Sequence, residues 1–393
     1  MAEQRQATEI PNLLSLRGTG GGRRRGGPSS IGHGRTQEDA ETRKDRIVQQ
    51  TDNDASGSRM SAVSLGYLND PFAQAFLQGA IPRRYPIINR GVKSIVGWLE
   101  ALLTLPGTYI RTTAINRLVD AFLSTDPDSP KQIISLGAGS DTRYFRIVIA
   151  NPAIRLTYHE LDFATNTTSK ISSIKRTPSL LKAIHTHLGP DEVDSLLISS
   201  NGDSLYSPTY NVHPLDLRSL AVDDPASLPK LPNLSPTTPT LLLSECCLIY
   251  LPPAQADAIL QTLANQIIPH NTALSLVLYE PIHPHDSFGQ VMVSNLAQRG
   301  IILQTLHKYH SLAAQLTRLS DATFVDGQNG ADVEWLFQNW LDQEEKDRVG
   351  KCEMLDEMEE WILLGRHYAV CWGWRGDVFG RAWATIEGQE TGG

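Results

Sequence analysis

The sequence predicts an α/β protein built on a mostly parallel sheet with helices on both faces, and three observations carry that prediction. Short, strongly apolar runs recur after residue 130 with helical stretches between them. The first run ends in the glycine string Gly137-Ala138-Gly139, and the second ends in an acid, Asp162. Runs this short and this apolar suit strands covered on both faces, as in a parallel sheet.

In chain order, residues 1–50 are rich in Gly, Arg, Ser and Gln, with Arg23, Arg24 and Arg25 inside a glycine block. Such a segment buries too little apolar surface to offset its ordering entropy, so a disordered tail is predicted. The arginine run as an RNA-binding or nuclear-import signal is the weaker reading. Globular patterning begins near residue 58, and residues 51–393 are expected to form one domain. Strands are predicted at Lys131 to Gly137, Ile154 to Asp162, Thr240 to Leu251 and Thr272 to Tyr279. A helix entered through Pro252 and Pro253 is predicted over 254–268. The acidic stretch 332–363 reads as two helices separated at Gly350. Residues 220–239 contain Pro225, Pro229, Pro232, Pro236 and Pro239, which predicts an exposed connection rather than a domain boundary.

Charge and cysteine usage narrow the function. The 393 residues carry a net charge of −8; residues 1–46 hold nine Lys/Arg against six acids, so the remainder carries −11. An acidic body argues against nucleic acid as the main partner, because phosphate binding needs a concentrated basic surface. Cys246 and Cys247 are adjacent while Cys352 and Cys371 stand apart, so neither a disulfide framework nor a CxxC zinc site is expected. That usage suits a reducing compartment. No run of 18 apolar residues is present to span a membrane, and Pro11, Asn12 and Ser15 break the one apolar stretch near the N-terminus. A soluble cytoplasmic monomer, bound to neither membrane nor nucleic acid, is the expectation.

Three features carry chemistry. Gly137 and Gly139 let a ligand approach the backbone at the point where α/β sheets bind nucleotides. Thr142 stands where GxGxxG needs glycine, and a Walker ending is missing, so dinucleotides and nucleoside triphosphates are disfavoured. Asp162 is placed to accept from ribose hydroxyls of NAD or S-adenosylmethionine; alone, it reads equally well as a capping or surface residue. Glu245 interrupts an apolar run. Burying a carboxylate is costly unless it is paired, so it is expected at a strand's carboxyl end facing a polar ligand. Cys246 has no evident base beside it and reads as a structural thiol rather than a nucleophile. His283, His285 and Asp286 suggest a metal, but their loop position and the lack of further clustered ligands favour a non-metal role.

The ordered strings Ser58 to Tyr67 with Asp70-Pro71, Pro86 to Gly91, Thr108 to Thr112, Asn151 to Asp162, Leu215 to Arg218, Ser244-Glu245-Cys246, Phe288 to Met292, Leu355 to Glu360 and Arg366-His367-Tyr368 resemble the leucine carboxyl methyltransferase family. The resemblance runs over residues 52–375. It implies a class I S-adenosylmethionine-dependent methyltransferase fold, Rossmann-like, with added helical lid elements. The implied activity is methyl transfer from S-adenosylmethionine to the C-terminal leucine α-carboxylate of the protein phosphatase 2A catalytic subunit, bound through its tail and its folded body. Position by position, it implies that Gly137 lies against the methionine part of the cofactor and Asp162 against the ribose. Asp216 and Leu217 would hold the adenine and Glu245 the methionine end. Arg111 would face the cofactor carboxylate, Arg59 would contact the cofactor, and Tyr250 would stand near the reacting carboxylate. A packed aromatic at a strand end is the alternative for Tyr250.

One departure from the family stands out. Asn89-Arg90-Gly91 normally runs directly into the Thr-Tyr-x-Arg-Thr string, whereas residues 92–107 intervene here. They read either as a surface helix or, the favoured account, as a retained intron, because their removal restores the family string. The transcript sequence decides between the two, and a genuine insert just before Arg111 puts activity in question. Two rival functions remain: the related tRNA wybutosine-synthesis branch, disfavoured by the acidic body and by the absence of 20–50-residue repeats, and a non-catalytic phosphatase-binding adaptor.

Overall fold

The computed structural model describes residues 40–77, 106–222, 224–352 and 358–390. The family string 86–91, residues 92–105 of the intervening segment, and residues 355–357 lie outside the described residues. The chain begins with helix α1 (Ala40–Ser64), a 3-10 turn at Ala73–Phe76, and α2 (Pro106–Ser124). There follow β1 (Lys131–Leu136), α3 (Arg143–Ala150), β2 (Leu156–Asp162), α4 (Ala164–Arg176) and α5 (Pro178–Leu188). Next come β3 (Leu197–Ile198), β4 (Leu205–Tyr206), β5 (Tyr210–Pro214), β6 (Thr240–Glu245) and α6 (Pro253–Thr262), which ends in a π turn at Leu263–Ile267. The remainder comprises β7 (Leu274–Pro281), α7 (Ser287–Gln298), α8 (Leu312–Asp321), β8 (Gly327–Asp332), α9 (Val333–Trp340), α10 (Gln343–Cys352), α11 (Met358–Gly365), β9 (Tyr368–Arg375) and α12 (Asp377–Trp383).

The strands form one sheet in the order β3-β4-β5-β2-β1-β6-β7-β9-β8. Pairs β5/β2, β2/β1, β1/β6 and β6/β7 are parallel, and β9 runs antiparallel to both β7 and β8. The run β5-β2-β1-β6-β7-β9-β8 with only β9 reversed is the class I methyltransferase arrangement. Chain order reverses on either side of β1, so a crevice opens at the carboxyl ends of β1 and β6, where such sheets bind ligands.

Period-two alternation divides the strands between two cores. Ile133, Leu241, Leu243, Val277 and Trp372 face the core that holds Ile115, Leu118 and Phe122 of α2. Ile134, Leu136, Leu242, Leu276 and Leu278 face the core built with Ile259, Leu260 and Leu263. The side chains of Asp162 and Glu245, in step with Tyr158 and Leu243, therefore project toward the α2 face.

Several expectations need correction. Residues 40–50 are helical, so the boundary of the tail expected at residue 50 falls inside α1, and Ala40–Gly393 forms one compact unit. The apolar run predicted as one strand over 240–251 stops at Glu245, because Cys246 takes a φ of +47°, which an extended strand does not accommodate; Leu248–Tyr250 is a 3-10 turn. Gly350 lies inside α10 rather than between two helices. The proline-rich connection is not simply exposed, since Leu228, Leu231 and Leu234 pack on the second core. Pro106 and Gly107, counted with the intervening segment, open α2.

Candidate functional site

The carboxyl ends of β1, β2, β5, β6 and β7, the start of β9, and helices α1 and α2 line a cavity of about 600 Å³. All eight residues singled out from sequence line it: Arg59, Arg111, Gly137, Asp162, Asp216, Leu217, Glu245 and Tyr250. They come from α1, α2, the last residues of β2 and β6 and the turns after β1, β5 and β6, which the parallel topology brings to one edge.

The glycine loop is shaped by close contacts. Gly137 and Gly139 have φ of +61° and +45°, a region L side chains rarely adopt. A Cβ on Gly137 would stand 2.6 Å from Cys247 Sγ, and one on Gly139 would stand 2.2 Å from Asp52 Oδ1. The Gly139 N–H donates to Asp162 Oδ2 at 2.7 Å, while the Phe163 N–H and Asn166 Nδ2 donate to Oδ1 at 2.7 and 2.9 Å. Burial nevertheless pushes the Asp162 carboxyl up to about 6, against those hydrogen bonds and with Asp52 adding to the rise.

Beneath the cavity lies a ladder of charges. Arg111 Nε stands 3.4 Å from Glu245 Oε2, and Arg143 Nη2 stands 2.9 Å from Glu245 Oε1. Arg143 also reaches Asp141 at 2.5 Å and is 1% exposed. Burial alone would raise the Asp141 carboxyl, but Arg143 and Arg59 hold it below the usual carboxylate range. The Arg59 guanidinium faces Asp70 at 3.4 Å and Asp141 at 3.9 Å. The Arg111 Nε, at 3.4 Å from Glu245, has no accepted hydrogen bond and is sealed from solvent.

At the adenine side expected from the sequence, both Asp216 oxygens take the Arg218 guanidinium, with Nε at 3.0 Å from each and Nη2 at 2.6 Å from Oδ2. Arg218 also bridges to Glu41 at 3.0 Å and Asp45 at 2.6 Å of α1. The same helix places Asp52 Oδ1 2.7 Å from the Ser140 N–H. Sequence reading missed this wall of acids because part of α1 was assigned to the tail. It also passed over Arg143, which stands within the glycine string itself, and Tyr279 and Tyr368. Tyr279 ends the apolar run of β7 as Glu245 ends that of β6, and that parallel was the available signal.

The cysteines behave as structural groups. Burial pushes the Cys246 thiol up to about 12 and Cys247 well above the usual range, so neither ionises near neutral pH. In the histidine loop, Asp286 caps α7 through the Gly289 N–H at 2.7 Å and contacts His367 Nε2 at 2.9 Å. Among the described residues no group of three or more His, Cys, Asp or Glu has metal-holding geometry.

The family profile described as leucine carboxyl methyltransferase matches residues 47–264. The chain belongs to the leucine carboxyl methyltransferase family. Its relatives include leucine carboxyl methyltransferase 1 of Emericella nidulans, 48% identical over 98% of each chain. The protein of the same name from Aspergillus fumigatus is 45% identical over 98% of this chain and 99% of that one. Among solved structures, a geranyl diphosphate methyltransferase in complex with GPP and sinefungin overlaps 84% of this chain and all of its own, with a TM-score of 0.41 and 11% identity. Membership of this family makes the protein a methyltransferase, and the methyl donor of the leucine carboxyl methyltransferase family is S-adenosylmethionine. No helix among the described residues is long and apolar enough to cross a membrane.

Proposed function

We propose that this chain methylates the α-carboxylate of the C-terminal leucine of the protein phosphatase 2A catalytic subunit, with S-adenosylmethionine as donor. One observation carries the reading: the glycine cradle, Asp162 and the Arg111–Glu245 pair converge on a single cavity, within a chain of this family. The residues present fit the donor. The cradle leaves no room for a Cβ, and the Arg111 Nε is a buried donor without an accepted hydrogen bond.

In this reading Asp162 accepts from the ribose hydroxyls, and Leu217 packs on the adenine with Asp216 at its amino group. Arg111 takes the donor's carboxylate, Glu245 takes its ammonium, Gly137 lies along the methionine chain, and Arg59 supports that end. When bound, S-adenosylmethionine supplies a methyl group on a sulfonium, released to an acceptor oxygen as sulfur keeps the bonding electrons. The acceptor needs no general base, since an α-carboxylate of pKa about 3.3–3.7 is already ionised at neutral pH. What remains for the protein is to bind, to align and to exclude the water that solvates the carboxylate. Tyr250, on the turn after Glu245, stands at the acceptor end.

A C-terminal tail alone buries little surface, so the reading includes contact with the folded phosphatase body. Transfer of labelled methyl from S-adenosylmethionine to the catalytic subunit, compared with a subunit lacking its terminal leucine, tests it. Label on the intact subunit alone is expected; equal labelling of both, or of neither, defeats the reading.

A further inference from the structure

Tyr279 and Tyr368 meet where β7 and β9 border the cavity. Tyr279 pairs with Val370 and Pro281 with Tyr368 across β7 and β9, so the two tyrosines are diagonal neighbours on one face of the sheet. Their rings stack with centroids 5.4 Å apart and planes at 17°. Both rings line the cavity beside Tyr250, Cys246 and Pro281. The Arg111 guanidinium lies 5.2 Å from the Tyr279 centroid, which joins this aromatic end to the charge ladder beneath it. Neither phenol hydroxyl has a hydrogen-bond partner among the described residues, and burial keeps both phenols protonated at neutral pH. Both hydroxyls open onto the cavity instead of being sealed in the core, so a ligand entering it can supply their acceptor atoms.

We propose that Tyr279 and Tyr368 receive the acceptor carboxylate, their hydroxyls donating to its non-attacking oxygen and their ring faces packing against the terminal side chain. The proposal rests on the functional reading above. Its chemical logic is one of moderation. A guanidinium gripping the acceptor in bidentate fashion makes strong charge-assisted hydrogen bonds and draws electron density from the oxygen that must attack. Arg111 is already engaged by Glu245 and by the Tyr279 ring. Neutral phenols orient one oxygen and leave the other free, and no proton changes hands in the step. The apolar ring faces strip water from the carboxylate, which raises its reactivity.

The test uses the full chain with the phosphatase catalytic subunit as acceptor and saturating donor, comparing the unsubstituted protein with Tyr279→Phe and Tyr368→Phe. Phenylalanine keeps the stack and removes only the hydroxyl. A lost hydrogen bond to a charged group corresponds to a factor of roughly 10–100, so a rise of that order is expected in the acceptor KM. The donor Kd by calorimetry and the melting temperature should stay unchanged, which a merely structural role for the hydroxyls would not predict. An unchanged acceptor KM in both variants overturns the proposal, and so does a weakened donor Kd, which would put the phenols on the donor instead. No transfer by the unsubstituted chain overturns the functional reading itself, an outcome read without any variant.

Discussion

Arg143 Nη2 stands 2.9 Å from Glu245 Oε1, while Arg111 approaches the other oxygen of the same carboxylate at 3.4 Å. One acid at the end of β6 is thus held between two guanidiniums, one from α2 and one from the first turn of α3. Arg143 is almost wholly buried and also holds Asp141, so it fixes two carboxylates at the floor of the cavity.

Replacing Arg143 with Met leaves Glu245 and Asp141 short of a buried counter-charge. Removing one partner of a buried pair typically costs about 3–5 kcal/mol. The expected outcome is a fall of that order in unfolding free energy by urea titration, together with weaker donor binding; a loss below about 1 kcal/mol contradicts the assigned role.

Asp162 titrates in a useful range. Burial raises its carboxyl to about 6, and in the role proposed for it only the ionised form has its full capacity to accept from ribose hydroxyls. Donor affinity should therefore fall as pH drops through about 6, approaching roughly tenfold per pH unit below it, as one-proton linkage requires. Calorimetry from pH 8 to 5 should show that slope in the unsubstituted protein. Asp162→Asn should bind weakly at every pH, without the slope.

The bridge from Arg218 to Glu41 and Asp45 is a surface feature, with Arg218 23% and Glu41 76% exposed. Exposed pairs contribute only about 0.2–1 kcal/mol each and weaken with salt. Arg218→Ala, or raised ionic strength, should therefore speed hydrogen exchange in α1 by a few-fold while leaving exchange in β1 and β6 unaltered. Equal exchange in α1 with and without Arg218 would remove the bridge as a tether of that helix.

His159 and His213 form a buried pair on β2 and β5, with Nδ1 3.0 Å from Nε2. Burial pushes them down to about 3 and about 4, against about 6.5 in an unfolded chain. As pH falls below 6.5 the unfolded chain takes up protons first, so stability present at pH 7 is lost progressively toward pH 4. Urea midpoints at pH 7 and pH 5 should differ, and the difference should shrink in His159→Gln; a pH-independent midpoint contradicts the assignment.

The parts of this fold visible in sequence are those where short-range pattern and tertiary role coincide. β6 and β7 are mostly apolar because both faces are covered, and β1 and β2 are legible from shorter apolar cores beside the glycine turn and the terminal acid. β5 and β9 stayed hidden. Tyr210–Pro214 places Asn211 and His213 in the sheet interior, and Tyr368–Arg375 follows a helix that already ends in the apolar run Trp361 to Leu364, so composition changes little between them. Asp52 and Asp45 were illegible for a different reason. α1 is polar along its length, with only isolated buried positions such as Ala62, and its place over the cavity is set by ion pairs with residues more than 80 positions away. The eight predicted site residues did converge, because each belongs to a strand end or to a helix that the parallel topology brings to the same crevice.

The central claim is that a carboxylate at a leucine C-terminus receives the methyl group. Mass analysis of the phosphatase catalytic subunit after incubation with this chain and S-adenosylmethionine tests it most directly. The account predicts one added methyl group confined to the C-terminal peptide and removed by mild alkali, as an ester requires. A modification that survives alkali, or that lies on any other peptide, would contradict it.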